Sequence, residues 1–250
     1  MVSGRRVVDA GGLFLMPGII DIHTHYDAQV TWDRTVSPSP ALGVTTAVMG
    51  NCGFGIVPSP PPLRDLIMRN LAVVEGMDID ALRAGINWEF ESFAEYLAAV
   101  RRRAPYANLA VFVGHSAVRT AVMGADASVR KRPTAAELAA MRRLVAEVMK
   151  EGAVGLGAYG SQGKAIVSAA FGRPSGEMAE RANQPTPRGV ARAEGGHMIM
   201  GQGAVPIIRN GAVAGACGVG GGTAQQDQDC ARAGVAASAQ LPSPSSFGRR

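Results

Sequence analysis

Short runs of apolar residues alternate with amphipathic segments along the first 157 residues of the chain. Four of these runs have the length of a strand, and they lie at residues 19–25, 44–49, 109–113 and 153–156. Three segments between them have the apolar spacing of helices, at about residues 63–74, 92–103 and 134–151. Apolar strands that alternate with amphipathic helices are typical of a parallel sheet with both faces covered. We therefore predict an α/β fold for this part of the chain.

The second and third of these helices begin with the pattern of a capping box. Ser92 is followed three residues later by Glu95, and Thr134 is followed in the same way by Glu137. In a capping box each of the two side chains accepts a hydrogen bond from the backbone N–H of the other residue. Gly152 is expected to end the later helix, because glycine readily adopts the left-handed conformation found after a helix.

Polar side chains with metal-binding chemistry follow the predicted strands. His23 and His25 come at the end of the first strand, where residues two apart point to the same side. Neutral imidazole is a common ligand of zinc, although two histidines bonded to the backbone in a core would give the same spacing. Cys52 follows the second strand and His115 the third. Active sites lie at the carboxyl ends of parallel strands in barrels and in open sheets alike, so this pattern does not choose between them.

Other parts of the chain are expected to be irregular. Residues 76–88 are interpreted as a loop, and another loop is expected to carry Arg119 and Asp126. Residues 158–250 hold 17 of the 32 glycines and a single leucine, and they contain no capping box. Such a composition predicts a loose tail, with one proline-weakened strand at 205–208. The abrupt change in composition has two interpretations, a natural flexible tail or a shift of reading frame near codon 157.

Composition excludes several classes of protein. The net charge of +5 comes largely from residues 158–250, where it is spread thinly, so a nucleic-acid-binding face is not expected. Three scattered cysteines are too few for a disulfide framework. No apolar run is long enough to cross a membrane, and residues 1–6 lack the apolar core of a secretory signal. A cytoplasmic protein is therefore the default expectation.

Several motifs resemble a known family, the metal-dependent amidohydrolases. The segment around His23 and His25 resembles the opening strand of their barrel. The Asn51-Cys52-Gly53 motif is similar to that of the D-aminoacylase branch, the N-acyl-D-amino-acid deacylases. The matching stretches occur in the expected order, at 17–27, 43–54, 113–119 and 151–156. The resemblance implies a (β/α)₈ barrel beside a small β-sandwich. Residues 1–16 would then be a remnant of the sandwich, 17–157 about half of a TIM-like barrel, and 158–250 a Gly/Ala-rich tail.

The resemblance also implies a chemistry. His23, His25 and Cys52 would be zinc ligands, and the zinc would activate water to hydrolyse the linear amide of an N-acyl-D-amino acid. His115 would either order a loop or lie on the substrate side. Arg119 would either face a substrate carboxylate or lie solvated at the surface. Asp27 would either support the metal site or cap a turn.

The chain also departs from the family. The two further metal histidines and the catalytic aspartate of the family have no match here, since the surroundings of His197, Asp227 and Asp229 differ. We therefore expect a truncated chain with little or no activity. The alternatives are a hydantoinase-like cyclic amidase, which the Asn-Cys-Gly motif disfavours, and a non-catalytic remnant. The oligomeric state is not predicted.

Overall fold

The computed structural model of the 250-residue chain describes residues 8–9, 11–130, 132–158, 160–193, 198–220 and 223–238. Its strands are β1 (Ile19–Asp21), β2 (Val44–Met49), β3 (Asn108–Gly114), β4 (Gly155–Gly157), β5 (Ala204–Arg209) and β6 (Ala212–Gly218). Its first six helices are α1 (Arg64–Glu75), α2 (Ile79–Gly85), α3 (Phe93–Arg103), α4 (His115–Met123), α5 (Asp126–Val129) and α6 (Ala135–Glu151). The other four are α7 (Ser161–Phe171), α8 (Ser175–Ala179), α9 (Pro185–Ala193) and α10 (Ala224–Ser238).

The first four strands form one parallel sheet in the order β1-β2-β3-β4. Consecutive strands are neighbours, and helices lie in the connections from β2 to β3 and from β3 to β4. Parallel connections between neighbouring strands, which are right-handed as a rule, build a (β/α)₈ barrel one unit at a time. The sheet with its helices is therefore a partial TIM-like barrel, as the sequence predicted.

A single cluster of buried apolar side chains lies between this sheet and its helices. It includes Met49 of β2, Val113 of β3, Leu71 of α1, and Phe93 and Tyr96 of α3, all at most 1% exposed. Both predicted capping boxes are present and begin α3 and α6 where the sequence placed them. These local signals fix where each helix starts, and the apolar stripe that follows turns each helix toward the sheet.

Three local features differ from the sequence analysis. The loop expected at 76–88 contains α2, which Asp78 caps by accepting from two backbone N–H groups. The loop expected to carry Arg119 and Asp126 is instead helical, since these residues lie in α4 and α5. The first strand, which was expected to be covered on both faces, is not buried: Ile20 is 62% exposed. β1 pairs with β2 alone among the described strands and forms an edge of the sheet.

Residues 160–238 contain regular structure where a loose tail was expected. The β5–β6 hairpin packs against α7 and α10. A salt bridge of 2.8 Å joins Lys164 of α7 to Asp227 of α10, and both side chains are largely buried. Small residues make this packing close: a Cβ on Gly218 would overlap the carbonyl oxygen of Ser161. A composition rich in glycine and alanine thus allows backbones to approach, which the compositional argument for a loose tail did not consider.

The chain before β1 is only partly described. A turn occurs at Gly11–Gly12, and the described residues on either side of it, 8–9 and 13–16, form no strand. The rest of the predicted sandwich remnant falls on residues 1–7 and 10, which lie outside the described residues. No helix among the described segments is long and apolar enough to cross a membrane.

Candidate metal centre

The side chains of His23, His25 and Cys52 lie together at one edge of the parallel sheet. The two histidines come just after β1, and Cys52 lies in a 3₁₀ turn (Asn51–Gly53) that follows β2. Because β1 and β2 are parallel neighbours, their carboxyl ends meet at this edge. The topology therefore brings together residues that are 29 positions apart in the sequence.

The geometry of the three side chains is compact. The Nε2 atom of His23 is 3.2 Å from Sγ of Cys52. The two imidazole rings are 5.3 Å apart between centroids and are tilted by 58°. One donor atom from each residue lies within 4.8 Å of the other two, and all three residues are half-buried. Half-burial lowers the local dielectric around the donor atoms.

The backbone at Cys52 is in an unusual conformation. Its φ is 54° and its ψ is 5°, the left-handed region that non-glycine residues enter at a cost of about 1–2 kcal/mol. Glycines at positions 50 and 53 have the same sign of φ. A Cβ at Gly50 would overlap the carbonyl oxygen of Phe112 in β3, so the turn needs glycine there for space as well. The chain thus reverses sharply just after β2 and presents the thiol beside His23.

His115 is near this cluster and outside it. It is the first residue of α4, and its Cβ would lie 3.6 Å from a Cβ placed on Gly53, the residue after Cys52. Partial desolvation, and then the positive charge of Arg119, hold the pKa of His115 below its usual value of 6.5. Its imidazole is therefore neutral at pH 7 and available as a hydrogen-bond donor or acceptor.

The guanidinium of Arg119 is engaged by the backbone. It donates to the carbonyl oxygens of Ala127, at 3.2 Å, and of Arg130. These bonds hold α5 and the residue after it against α4. Arg119 and His115 also line an open cavity of about 490 Å³ together with Arg130 and Met141. The structure therefore gives Arg119 a structural role and places it at the wall of a cavity, outside the His/Cys cluster.

The acidic residues of the second half have other partners. Asp227 pairs with Lys164, and Asp229 accepts a hydrogen bond from Gln225 on the exposed side of α10. His197 lies outside the described residues. No carboxylate belongs to the cluster of possible metal donors within the part of the chain that the structure describes.

Sequence reasoning missed one residue that reaches the site. Gln162 of α7 donates from Nε2 to the carbonyl oxygen of Ile22, at 2.8 Å, directly before His23. The contact joins residues 140 positions apart, and it comes from a segment whose composition suggested no structure. No local signal could have found it.

A comparison with protein-family models identifies the family of the chain. A family model described as "Amidohydrolase family" matches residues 6–240. An uncharacterized protein of Mycobacterium tuberculosis (strain ATCC 25618 / H37Rv) is 40% identical over 154 residues, which are 60% of this chain and 25% of that protein. The D-aminoacylase of Alcaligenes xylosoxydans xylosoxydans is 39% identical over 152 residues, which are 60% of this chain and 28% of the enzyme.

Two solved structures are also similar. A crystal structure of D-aminoacylase is 36% identical, with a TM-score of 0.43, and the match covers 56% of this chain and 27% of that one. The N-acyl-D-glutamate deacylase of Bordetella bronchiseptica, complexed with zinc and a phosphonate inhibitor, is 30% identical, with a TM-score of 0.39 and coverages of 56% and 26%. The chain spans about a quarter of the length of the curated relatives it matches.

Proposed function

Because the chain belongs to the amidohydrolase family, we propose that His23, His25 and Cys52 hold a divalent metal ion in a site for amide hydrolysis. The observation that carries this proposal is the approach of the three donor atoms to within 4.8 Å of one another. Core histidines that serve packing alone have no reason to meet a cysteine at the ends of two neighbouring strands.

The donor set suits zinc. Zinc binds nitrogen at about 2.0–2.1 Å and sulfur at about 2.3 Å, so two donors of a tetrahedral site lie roughly 3.3–3.6 Å apart. The 3.2 Å between Nε2 of His23 and Sγ of Cys52 is close to this spacing. Imidazole and thiolate also suit copper, so the ligands favour soft or borderline ions over magnesium or calcium. A cation bound there supplies Lewis acidity to the reacting amide.

The remaining residues of the site have supporting roles in this proposal. In this proposal His115, whose imidazole is neutral at pH 7, faces the substrate and hydrogen-bonds the acyl group or the amide. Arg119 lines the neighbouring cavity, and its backbone bonds leave it less free to meet a carboxylate. The substrate class we propose is a linear N-acyl-D-amino acid, because proteins named D-aminoacylase and N-acyl-D-aspartate deacylase are among the relatives.

We expect this chain to turn over little or no substrate by itself. The cluster of possible donors offers no carboxylate to move a proton, as far as the described residues go. Amide hydrolysis needs such a group to take a proton from water and deliver one to the leaving amine. The second candidate function is therefore metal binding without catalysis.

The test is metal content with a matched cysteine control. The full chain is purified, loaded with zinc and dialysed, and zinc is counted per chain for wild type, Cys52→Ala and Cys217→Ala. We expect bound zinc in wild type and Cys217→Ala, and its loss in Cys52→Ala. Equal zinc in the two variants, or none in wild type, would refute the proposed site.

The same preparations then separate the two functions. N-acetyl-D-amino acids, their L enantiomers and a cyclic hydantoin are incubated with the zinc-loaded chain. Release of free D-amino acid that Cys52→Ala abolishes supports a hydrolase. Stoichiometric zinc with no release of any product supports the metal-binding alternative.

A further inference from the structure

We propose that Asp27 and Asn51 are positioning residues that hold the Cys52 thiol beside His23. Each side chain is 2% exposed, and neither belongs to the three metal donors. The proposal rests on the metal site proposed above. It assigns a task to two buried polar side chains that both hydrogen-bond to the backbone around the site.

Asp27 ties the histidine segment to the start of the cysteine turn. Its Oδ2 atom accepts a hydrogen bond from the backbone N–H of Gly50 at 2.9 Å, in a buried environment. Gly50 is the residue at which the chain leaves β2 and turns toward Cys52. The main chain of Asp27 is fixed from the other side, because Tyr96 of α3 donates from its hydroxyl to the Asp27 carbonyl at 2.8 Å.

Asn51 makes a second connection between the same two segments. Its side-chain amide donates to the carbonyl oxygens of Thr24, at 3.2 Å, and of Val48, at 2.8 Å. Thr24 lies between the two histidines. It also donates to the Val48 carbonyl, from its backbone N–H at 2.9 Å and from its hydroxyl at 2.8 Å. One carbonyl of β2 therefore collects three hydrogen bonds from the histidine segment and the cysteine turn.

These bonds explain how the chain holds Cys52 in a left-handed conformation. A residue with a Cβ stays in that region when the surrounding structure holds it there. Asp27 fixes the backbone N–H of Gly50, and the Asn51 side chain is bonded to the carbonyls of Thr24, which follows β1, and of Val48 in β2. Without them the turn is free to relax toward ordinary backbone angles, which swings the thiol away from His23.

The consequence is a weaker metal site. Groups that orient metal ligands without touching the metal typically contribute 10- to 100-fold in metal affinity. We expect Asp27→Ala and Asn51→Ala to weaken binding of Zn²⁺ and Co²⁺ by a factor in that range. Asp27→Asn keeps an oxygen that can accept from Gly50, so it should retain most of the affinity.

The experiment uses the full chain, stripped of metal by a chelator and titrated with Co²⁺, with Zn²⁺ measured by competition. Absorption from thiolate-to-cobalt charge transfer reports whether Cys52 is a ligand. Thr31→Val is the matched control, because it removes one buried bond to a carbonyl, that of Ala28 at 2.7 Å, without touching the turn. Circular dichroism establishes that each variant folds, and Asn51→Ala alone carries the test if Asp27→Ala does not fold.

A second measurement is made on the metal-free protein. The Cα and Cβ chemical shifts of Cys52 report its backbone conformation. In Asp27→Ala and Asn51→Ala they should move away from left-handed values, and in Thr31→Val they should stay in place. A purely structural role for Asp27 and Asn51 would lower stability in all three variants and leave these shifts and the charge-transfer band unchanged.

The outcomes separate this proposal from the proposed function. If wild type binds Co²⁺ through a thiolate and both alanine variants bind it as tightly as Thr31→Val, the positioning role is wrong and the metal site stands. If wild type binds neither ion, the metal site fails, and the shifts of the metal-free protein decide the rest. Unchanged Cys52 shifts in both alanine variants would then overturn the positioning role as well.

Discussion

Tyr96→Phe is expected to lower the free energy of unfolding of the half-barrel, the sheet β1–β4 with helices α1–α6, by about 2 kcal/mol. The Tyr96 side chain is fully buried, and its hydroxyl donates to the Asp27 carbonyl at 2.8 Å. Phenylalanine keeps the edge-on contact with Phe90, whose ring centroid is 5.0 Å away. The substitution therefore removes the hydrogen bond to Asp27 together with a long contact to Sδ of Met49 at 4.0 Å. It leaves a buried carbonyl without that donor, which typically costs about 1–3 kcal/mol.

The assay is urea unfolding followed by tryptophan fluorescence. Both tryptophans, Trp32 and Trp88, lie in the first half of the chain, so the signal reports the half-barrel and not residues 160–238. With a slope of about 2 kcal/mol per molar urea, the midpoint should fall by about 1 M. Tyr106→Phe is the matched control, because Tyr106 is 66% exposed and its substitution should change stability by less than about 0.5 kcal/mol.

The pH dependence gives the same prediction a second test. Burial, and then the negative charge of Asp27, raise the pKa of Tyr96 well above 10. A raised pKa means that the folded state holds the proton more tightly than the unfolded state does. The stabilisation by Tyr96 is therefore complete below pH 10 and declines as the pH rises further. The stability difference between wild type and Tyr96→Phe should be constant from pH 7 to 9 and shrink above pH 10. Equal midpoints for the two Tyr→Phe variants at pH 7 would refute the reasoning.

Three further predictions follow from other contacts. Hydrogen bonds from Arg130 are the main cause that lowers the pKa of Glu137 to about 2, so the stabilisation by Glu137 is lost as the pH falls from about 4.5 toward 2. Glu137→Gln should therefore flatten the plot of melting temperature against pH over that range. A slope equal to that of wild type would contradict this. Asp227→Ala leaves Lys164 buried without its carboxylate partner and should destabilise residues 160–238 by about 3 kcal/mol. The measurement is amide hydrogen exchange in α7, which should become faster in Asp227→Ala and stay unchanged in the control Asp229→Ala. Ile20→Lys should reduce concentration-dependent association in light scattering, because it places a charge on an exposed apolar edge strand; association equal to wild type would contradict this.

The parts of the fold that could be predicted depend on short-range signals. The capping boxes at Ser92 and Thr134 lie within four residues each, so the sequence located the starts of α3 and α6 correctly. The second strand was predicted at its observed bounds, because six β-branched and apolar residues end at a glycine. The meeting of the strand-end histidines with Cys52 also follows from a general rule, since neighbouring parallel strands place their carboxyl ends together. Their role as metal ligands remains a prediction.

The parts that could not be predicted depend on long-range register. The bond from Asp27 to Gly50 exists because β1 and β2 pair with Ile19 opposite Val44 and a shift just after it. Because no residue near Asp27 in the sequence predicts that register, the sequence left two roles open for Asp27, supporting the metal site or capping a turn. The partners of Arg119 could not be predicted for a similar reason, since its two bonds to carbonyl oxygens follow from the turn between α4 and α5.

The second half of the chain shows where a compositional argument fails. Averaged over 93 residues, glycine and alanine suggest a chain with little to bury. The structure instead pairs Lys164 with Asp227, 63 positions apart, and buries Val167 and Val205 away from the main core. A natural segment and a shifted reading frame both stay predictions for the origin of residues 158–250. Sequencing the coding DNA and translating all three frames beyond codon 157 tests this.

The position of the histidines next to an edge strand has a thermodynamic consequence. β1 is three residues long, and its described backbone pairing is with β2 alone, so it is expected to fray before the other strands. An ion shared by His23, His25 and Cys52 would act as a cross-link between the end of this strand and its better-anchored neighbour. Ligand binding of this kind stabilises the folded state by about 2.7 kcal/mol when the free ion is at one hundred times its dissociation constant. The metal would then stabilise the sheet in addition to taking part in the chemistry. A higher affinity of the site would mean a more stable attachment of β1 to β2.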